Sequence, residues 1–202
     1  MASLDNTLYV TGNSIKVADM KSVLGENIQL FKTDLKEIQD KPLEVSIDKI
    51  RRIYHGLGSK EVGCEDTSFG YAKSTTMVKH LIDDCEENDG DLYNVMKAIA
   101  PKKNTIHYTS IVSFKNETYE ALFECIMLCE LCPRSGKGTI DPFAIPISVT
   151  VTQYVNGEKT VLIENQPIEN PSRLSIAQQP QNRPLVHPRY FALNAYNHWK
   201  KV

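Results

Sequence analysis

The stretch from Thr7 to Lys16, TLYVTGNSIK, decides the fold class. Its first four residues are β-branched, aliphatic or aromatic and read as a strand, and Gly12-Asn13 ends the run with a turn signal. From Ser14 the pattern changes. Ile15, Val17, Met20, Val23 and Leu24 recur near helical spacing, and Gly25 is placed to cap the helix. A strand that passes through a short loop into a helix at the start of the chain predicts an α/β domain. The loop itself has a chemical use. Backbone N–H groups and the positive end of a helix converge on any anion held there. Gly12 lets a ligand approach the backbone, Thr11 and Asn13 add side-chain hydrogen bonds, and Lys16 adds a full charge. Taken alone the signal is weak, since a Gly-Asn turn followed by a solvated lysine has the same composition.

Beyond this unit, IQLFKTDL reads as a second strand. LEVSIDKIRRIYHGLG reads as a helix with Val45, Ile47, Ile50 and Ile53 on one face, stopped by Gly56 and Gly58. EVGCEDTSFGYA reads as a short third strand running into a polar loop. TTMVKHLIDDC and GDLYNVMKAIA have helical patterns, the second ended by Pro101. TIHYTSIVSF and TYEALFECIMLCEL alternate like two antiparallel strands, and IPISVTVTQYVNGEKTVLIE is a hairpin turning at Asn156-Gly157. Residues 165–184 contain Pro167, Pro171, Pro180 and Pro184 and predict an extended loop, after which RYFALNAYNHW closes the chain as a helix. Helices alternate with strands in the first half and strands pair in the middle, which predicts a mixed sheet within one domain, residues 1–202.

Composition narrows the function classes. The chain has 202 residues, 41% of them hydrophobic and 24% charged, which suits a globular domain with a full core. The formal net charge is -2, and no block of like charge occurs, so nucleic acid is not expected as a partner. No charged-then-apolar leader and no long apolar run is present, so the expectation is a cytoplasmic protein without a membrane partner. Five dispersed Cys argue for reduced thiols.

Two motifs in the middle mislead. Gly136-Lys137-Gly138-Thr139 resembles a nucleotide-binding Walker A loop. However, Leu131 stands where that motif needs its first Gly, Gly138 stands where it needs Ser or Thr, and Ile140-Asp141-Pro142 disfavours the helix that must follow. Cys125, Cys129 and Cys132 have the spacing of an iron–sulfur motif. Yet Phe123, Cys125, Met127, Cys129 and Leu131 alternate along a strand, which separates Cys125 from Cys129 by ~13 Å and makes them small core residues.

Acidic residues stand at two candidate strand ends. Glu37 lies in the segment after the second strand, and Glu65-Asp66-Thr67 follows the third. Carboxylates from neighbouring strands can converge on Mg²⁺, which is held by one or two carboxylates plus substrate phosphates. Lys49 and Lys79, on predicted helices, could reach those phosphates; solvated acidic loops and solvated helix lysines are the plain alternative.

In order, the pieces TGNSIK, DLKEIQDKPLEVSIDK, CEDTSF, MVKHL, IDPF and PRYFAL resemble the Ham1/inosine triphosphate pyrophosphatase family over nearly the whole chain. The resemblance implies an elongated mixed β-sheet with helices forming two lobes around a central cleft, usually in a homodimer. It implies hydrolysis of a nucleoside triphosphate to NMP and pyrophosphate with Mg²⁺, Mn²⁺ being an alternative. Residue by residue, the phosphate loop falls on Thr11, Gly12, Asn13, Ser14 and Lys16. The metal carboxylates fall on Glu37 and Asp66, with Glu65 beside them. Thr67, Lys49 and Lys79 match nucleotide-contacting positions. Glu37, Asp66 and Lys49 carry the expected catalytic roles, with either carboxylate open as the base that activates water.

The base-binding end departs from the family. Gly138-Thr139-Ile140-Asp141-Pro142 keeps Asp141 but lacks the aromatic and the Trp of the family's loop. Near the C-terminus, Arg183 replaces a Lys, His187 sits one place early and Arg189 is retained. These residues complete the expected substrate contacts. The leading expectation is a house-cleaning enzyme acting on ITP, dITP and XTP. The alternatives are the same chemistry on a different or broader set of NTPs and dNTPs, or a nucleotide-binding protein that has lost turnover.

Overall fold

The computed structural model describes residues 7–25, 28–31, 38, 40–57, 61–71, 74–77, 92–133, 143–170 and 173–202. Its strands are β1 (Leu8–Val10), β2 (Gln29–Phe31), β3 (Val62–Tyr71), β4 (Ser74–Met77), β5 (Thr105–Lys115), β6 (Glu120–Leu131), β7 (Ala144–Val155) and β8 (Glu158–Pro167). Helices are α1 (Ser14–Leu24), α2 (Pro42–Leu57), α3 (Leu92–Ile99), α4 (Arg183–Val186) and α5 (Pro188–Trp199). The strands form one sheet in the order β2-β1-β3-β5-β6-β7-β8, with β4 pairing β3 off this path. β1 is parallel to β2 and β3, and the other pairings are antiparallel. The α/β class and the mixed sheet are therefore as the sequence predicts.

Helices cover both sides of the sheet. On one face Tyr9 of β1, Val112 and Phe114 of β5, and Phe123 and Cys125 of β6 pack with Met20 and Leu24 of α1 and Leu193 and Tyr196 of α5. Further along the same face, Phe69, Tyr108, Met127 and Cys129 pack with Val95 and Met96 of α3. On the opposite face, Val10, Val62 and Cys64 pack with Ile50 and Ile53 of α2. Cys125 and Cys129 are thus core residues, and burial pushes both thiols up.

One glycine is dictated by packing. A Cβ on Gly63 would lie 2.7 Å from the Phe114 ring and 2.9 Å from the Tyr9 ring, both fully buried. Gly63→Ala is expected to destabilise the fold by about 1–3 kcal/mol through overpacking. Urea unfolding checks this, and an unchanged midpoint contradicts it.

Three segments differ from the sequence prediction. Cys64 to Thr67 does not enter a loop, because β3 continues unbroken through it. The segment expected to start a helix at Thr75 begins as strand β4, and its continuation lies outside the described residues. Residues 165–184 are not uniformly extended. β8 runs to Pro167, two 3-10 turns follow at Ile176–Gln178 and Pro180–Asn182, and α4 starts at Arg183. The hairpin is as expected, with φ of 51° at Asn156 and 87° at Gly157.

Candidate active site at the open edge of β3

β3 changes partner along its length. Its first residues pair with β1 at Val62 and Gly63, and its last pair with β4 from Ser68 to Tyr71. Among the described residues, Cys64 to Thr67 have no strand neighbour on that side. The loop after β1 arrives at this gap. Asn13 caps α1, its Oδ1 accepting from the Ile15 and Lys16 amides at 2.9 and 3.4 Å. The Asn13 amide donates to Thr11 Oγ1 at 3.2 Å, while Gly12 and Ser14 stay exposed. Lys16 then reaches into the gap, donating to the Glu65 backbone carbonyl at 3.1 Å and pairing with Glu65 Oε2 at 2.7 Å. A site where a parallel strand ends and the pairing switches is where α/β sheets commonly take ligands.

Alternation along β3 sends neighbouring residues to opposite faces. Glu65 and Thr67 face α1 and α5, where Arg189 Nε lies 3.2 Å from Glu65 Oε1. Ser110 Oγ donates to the same oxygen at 2.6 Å, and the Thr67 hydroxyl also donates to it. Asp66 faces α2. Lys49 pairs with its Oδ1, and the fully buried Ser46 donates to Oδ2 at 3.3 Å. Ser46 and Lys49 are three residues apart on one helix, so both reach one carboxylate. The expectation that Glu65 and Asp66 lie in a loop after the third strand is corrected: both lie within β3, which turns them to opposite faces.

The face carrying Glu65 holds a charged island between the two apolar clusters. Arg189 pairs with Asp19 of α1 as well as with Glu65, and its Nη2 lies 3.3 Å from Thr67 Oγ1. Arg183 binds the same Asp19 through two nitrogens, at 2.6 and 3.3 Å, and the Tyr190 hydroxyl donates to it at 3.0 Å. His187 is buried at the start of α5. Its Nδ1 accepts from the Arg189 amide at 3.1 Å, so Nε2–H is left to donate to the Tyr108 hydroxyl at 2.7 Å. His187 and Arg189 are therefore not a solvated helix start. Asp19, Ser110, Tyr108 and Ser46 were missed in the sequence. The one available signal was Asp19 itself, an acid beside Met20 on the apolar stripe of α1. Glu37, Lys79 and Asp141 lie outside the described residues.

The electrostatics favour ionised carboxylates. Burial alone would push the Glu65 carboxyl up, but Arg189, Lys16 and the hydrogen bonds from Lys16 and Ser110 hold it well below the usual carboxylate range. Burial is likewise outweighed at Asp19 by Arg183 and Arg189. The same holds at Glu61, where Lys200, Thr7, Tyr119 and Tyr196 surround the carboxylate. Since all three are depressed on folding, the unfolded chain takes up protons first as pH falls through about 4. The stability these groups contribute is complete above that value and is lost below it, down through their folded values. The urea midpoint is expected to fall steeply between pH 5 and pH 3. A midpoint flat to pH 3 contradicts the pairing.

The fold is that of the Ham1 proteins. The chain matches the Ham1 protein of Staphylococcus aureus with a TM-score of 0.67 over 96% of this chain and 98% of that one, at 11% identity. It matches a HAM1 protein from Coxiella burnetii with a TM-score of 0.64 over 97% and 98%, at 13% identity. In sequence, 73 residues are 37% identical to the inosine triphosphate pyrophosphatase of Schizosaccharomyces pombe. That segment spans 35% of this chain and 38% of that relative. No family model matches. The likeness to the Ham1 proteins is thus one of fold over nearly the whole chain, and the likeness to an inosine triphosphate pyrophosphatase is one of sequence over about a third of it.

Proposed function

We propose that this chain is a nucleoside triphosphate pyrophosphatase that hydrolyses non-canonical purine nucleotides such as ITP, dITP and XTP to NMP and pyrophosphate, removing them from the nucleotide pool. The observation that carries the reading is the meeting of two lysines from separate elements, Lys16 and Lys49, with adjacent carboxylates at the open edge of β3. The likeness to an inosine triphosphate pyrophosphatase supports a nucleotide hydrolase as the general class.

In this reaction water attacks the α-phosphorus, the bond to the bridging oxygen breaks, and pyrophosphate leaves with that electron pair. Lys16, at the positive end of α1, faces the growing negative charge of the phosphates, and Lys49 does so from α2. Asp66 is placed to accept the proton of the attacking water. Oxygen donors on the Asp66 face suit a hard cation, because Ser68, two residues along, keeps a buried hydroxyl with no hydrogen-bond partner among the described residues. Asp66, with Glu37 as the second expected carboxylate, would hold Mg²⁺ or Mn²⁺ there. The bound ion would supply charge neutralisation at the phosphates. Thr67, Arg183, His187 and Arg189 make up the substrate side on the opposite face. A homodimer of two-lobed protomers in the cytoplasm, with no nucleic-acid or membrane partner, completes the proposal; no helix among the described residues is long and apolar enough to cross a membrane.

A second reading is favoured by one observation: Gly138 to Pro142 lacks the aromatic that would stack on the base. Base stacking is worth roughly 1–3 kcal/mol where it has been measured on nucleic acids. A chain without it would run the same reaction on a different or broader set of nucleotides. Incubating the purified protein with Mg²⁺ and a panel of NTPs and dNTPs, scoring pyrophosphate against orthophosphate, tests both. Pyrophosphate is expected first from ITP and XTP, and preference for another nucleotide supports the second reading. Orthophosphate as the product, or no turnover of any nucleotide, overturns both and favours a binding protein.

A further inference from the structure

We infer that Glu65 is a positioning residue that holds Lys16 for the phosphate chain, and that it takes no part in binding the divalent cation. The inference rests on the pyrophosphatase reading and deepens it.

Three observations carry it. First, β3 turns Glu65 and Asp66 to opposite faces, so one cation cannot use both as their adjacency in sequence suggests. Second, both Glu65 oxygens are engaged. Oε2 carries Lys16, and Oε1 carries Ser110, Thr67 and Arg189, on a side chain that is 0% exposed. A cation entering there would meet the charges of Lys16 and Arg189 at contact distance. Third, the charges alternate from Lys16 to Glu65, Arg189, Asp19 and Arg183. The more exposed members are the terminal cations, at 19% for Lys16 and 12% for Arg183. A buried middle therefore fixes the spacing of two cations that point outward. Neutralising Glu65 leaves those positive charges in place, so attraction for a polyanion survives while the placement of the Lys16 ammonium is lost.

The test uses the full chain with Glu65→Gln and Asp66→Asn, measuring Mn²⁺ and inorganic tripolyphosphate binding by calorimetry alongside turnover. Glu65→Gln is expected to bind Mn²⁺ like the wild type and tripolyphosphate at least as tightly. Its kcat should fall about 10- to 100-fold with no rise in KM, the mark of lost positioning. Glu65→Asp should restore part of kcat, and Asp66→Asn should lose Mn²⁺ binding. If Glu65→Gln folds poorly, Ser110→Ala should give the same split at smaller size. A tenfold or greater weakening of Mn²⁺ by Glu65→Gln overturns the inference, as does an unchanged kcat or a loss that only tracks the folded fraction. A wild type that binds Mn²⁺ and tripolyphosphate but releases no pyrophosphate sinks the pyrophosphatase reading instead, and the Mn²⁺ comparison still decides the role of Glu65.

Discussion

Asp66→Asn is expected to lower kcat for pyrophosphate release about 10²- to 10⁴-fold, the range over which a positioned general base contributes. Asn keeps the shape of the side chain and the hydrogen bond from Ser46. It removes the negative charge that Lys49 faces and, on the proposed mechanism, the base that takes a proton from water. Because Asp66 is 4% exposed, solvent cannot substitute for it. The loss should fall on kcat, since Lys16 on the other face is untouched and still attracts the triphosphate. Circular dichroism and a melting curve separate the chemistry from folding. A folded Asp66→Asn protein within threefold of wild-type kcat would falsify the role assigned to Asp66.

The second large effect is structural. Asp19→Ala is expected to cost about 3–5 kcal/mol, the penalty for leaving buried charge uncompensated. Asp19 holds Arg183 and Arg189 together, and Arg189 is buried between it and Glu65. For a domain of this size each kcal/mol moves Tm by about 2–4 °C, so a drop of roughly 6–20 °C follows. Asp19→Asn should lie between, because the amide oxygen still accepts while the charge is gone. Adding Arg183→Met to Asp19→Ala should recover part of the loss by removing one orphaned cation. A drop under 3 °C in calorimetry would show that the two arginines find other partners and that Asp19 is not the centre of this island.

What could be foreseen from the residues divides along physical lines. The strand, loop and helix of TLYVTGNSIK were legible because local signals agree there: a strand-forming run, a Gly-Asn turn and apolar residues at helical spacing. The Asn156-Gly157 hairpin was legible for the same reason. Glu65 and Asp66 were expected in a loop, whereas they lie within β3. Glu, Asp and Ser are poor strand residues by local preference. Here they are satisfied by Arg189, Lys16, Ser110, Ser46 and Lys49, which the chain brings in from far away. Tertiary partners override local preference, and no window of a few residues contains them. Asp19 stood out only as an acid on an apolar stripe, and its meaning depends on two arginines more than 160 residues further on. Residues 165–184 misled because their prolines suit an extended path as well as the start of a short turn, and both occur.

The spread of the charged island along the chain has a consequence for biosynthesis. Lys16, Asp19 and Glu65 are made early, while Arg183 and Arg189 are made late. A growing polypeptide can collapse its strands, but Asp19 lacks both its arginines, and Glu65 has only Lys16, until residue 189 has emerged. The segment around Asp19 and Glu65 is therefore expected to stay loosely packed until Arg183 and Arg189 have left the ribosome, and Lys16 gains its final setting only with them.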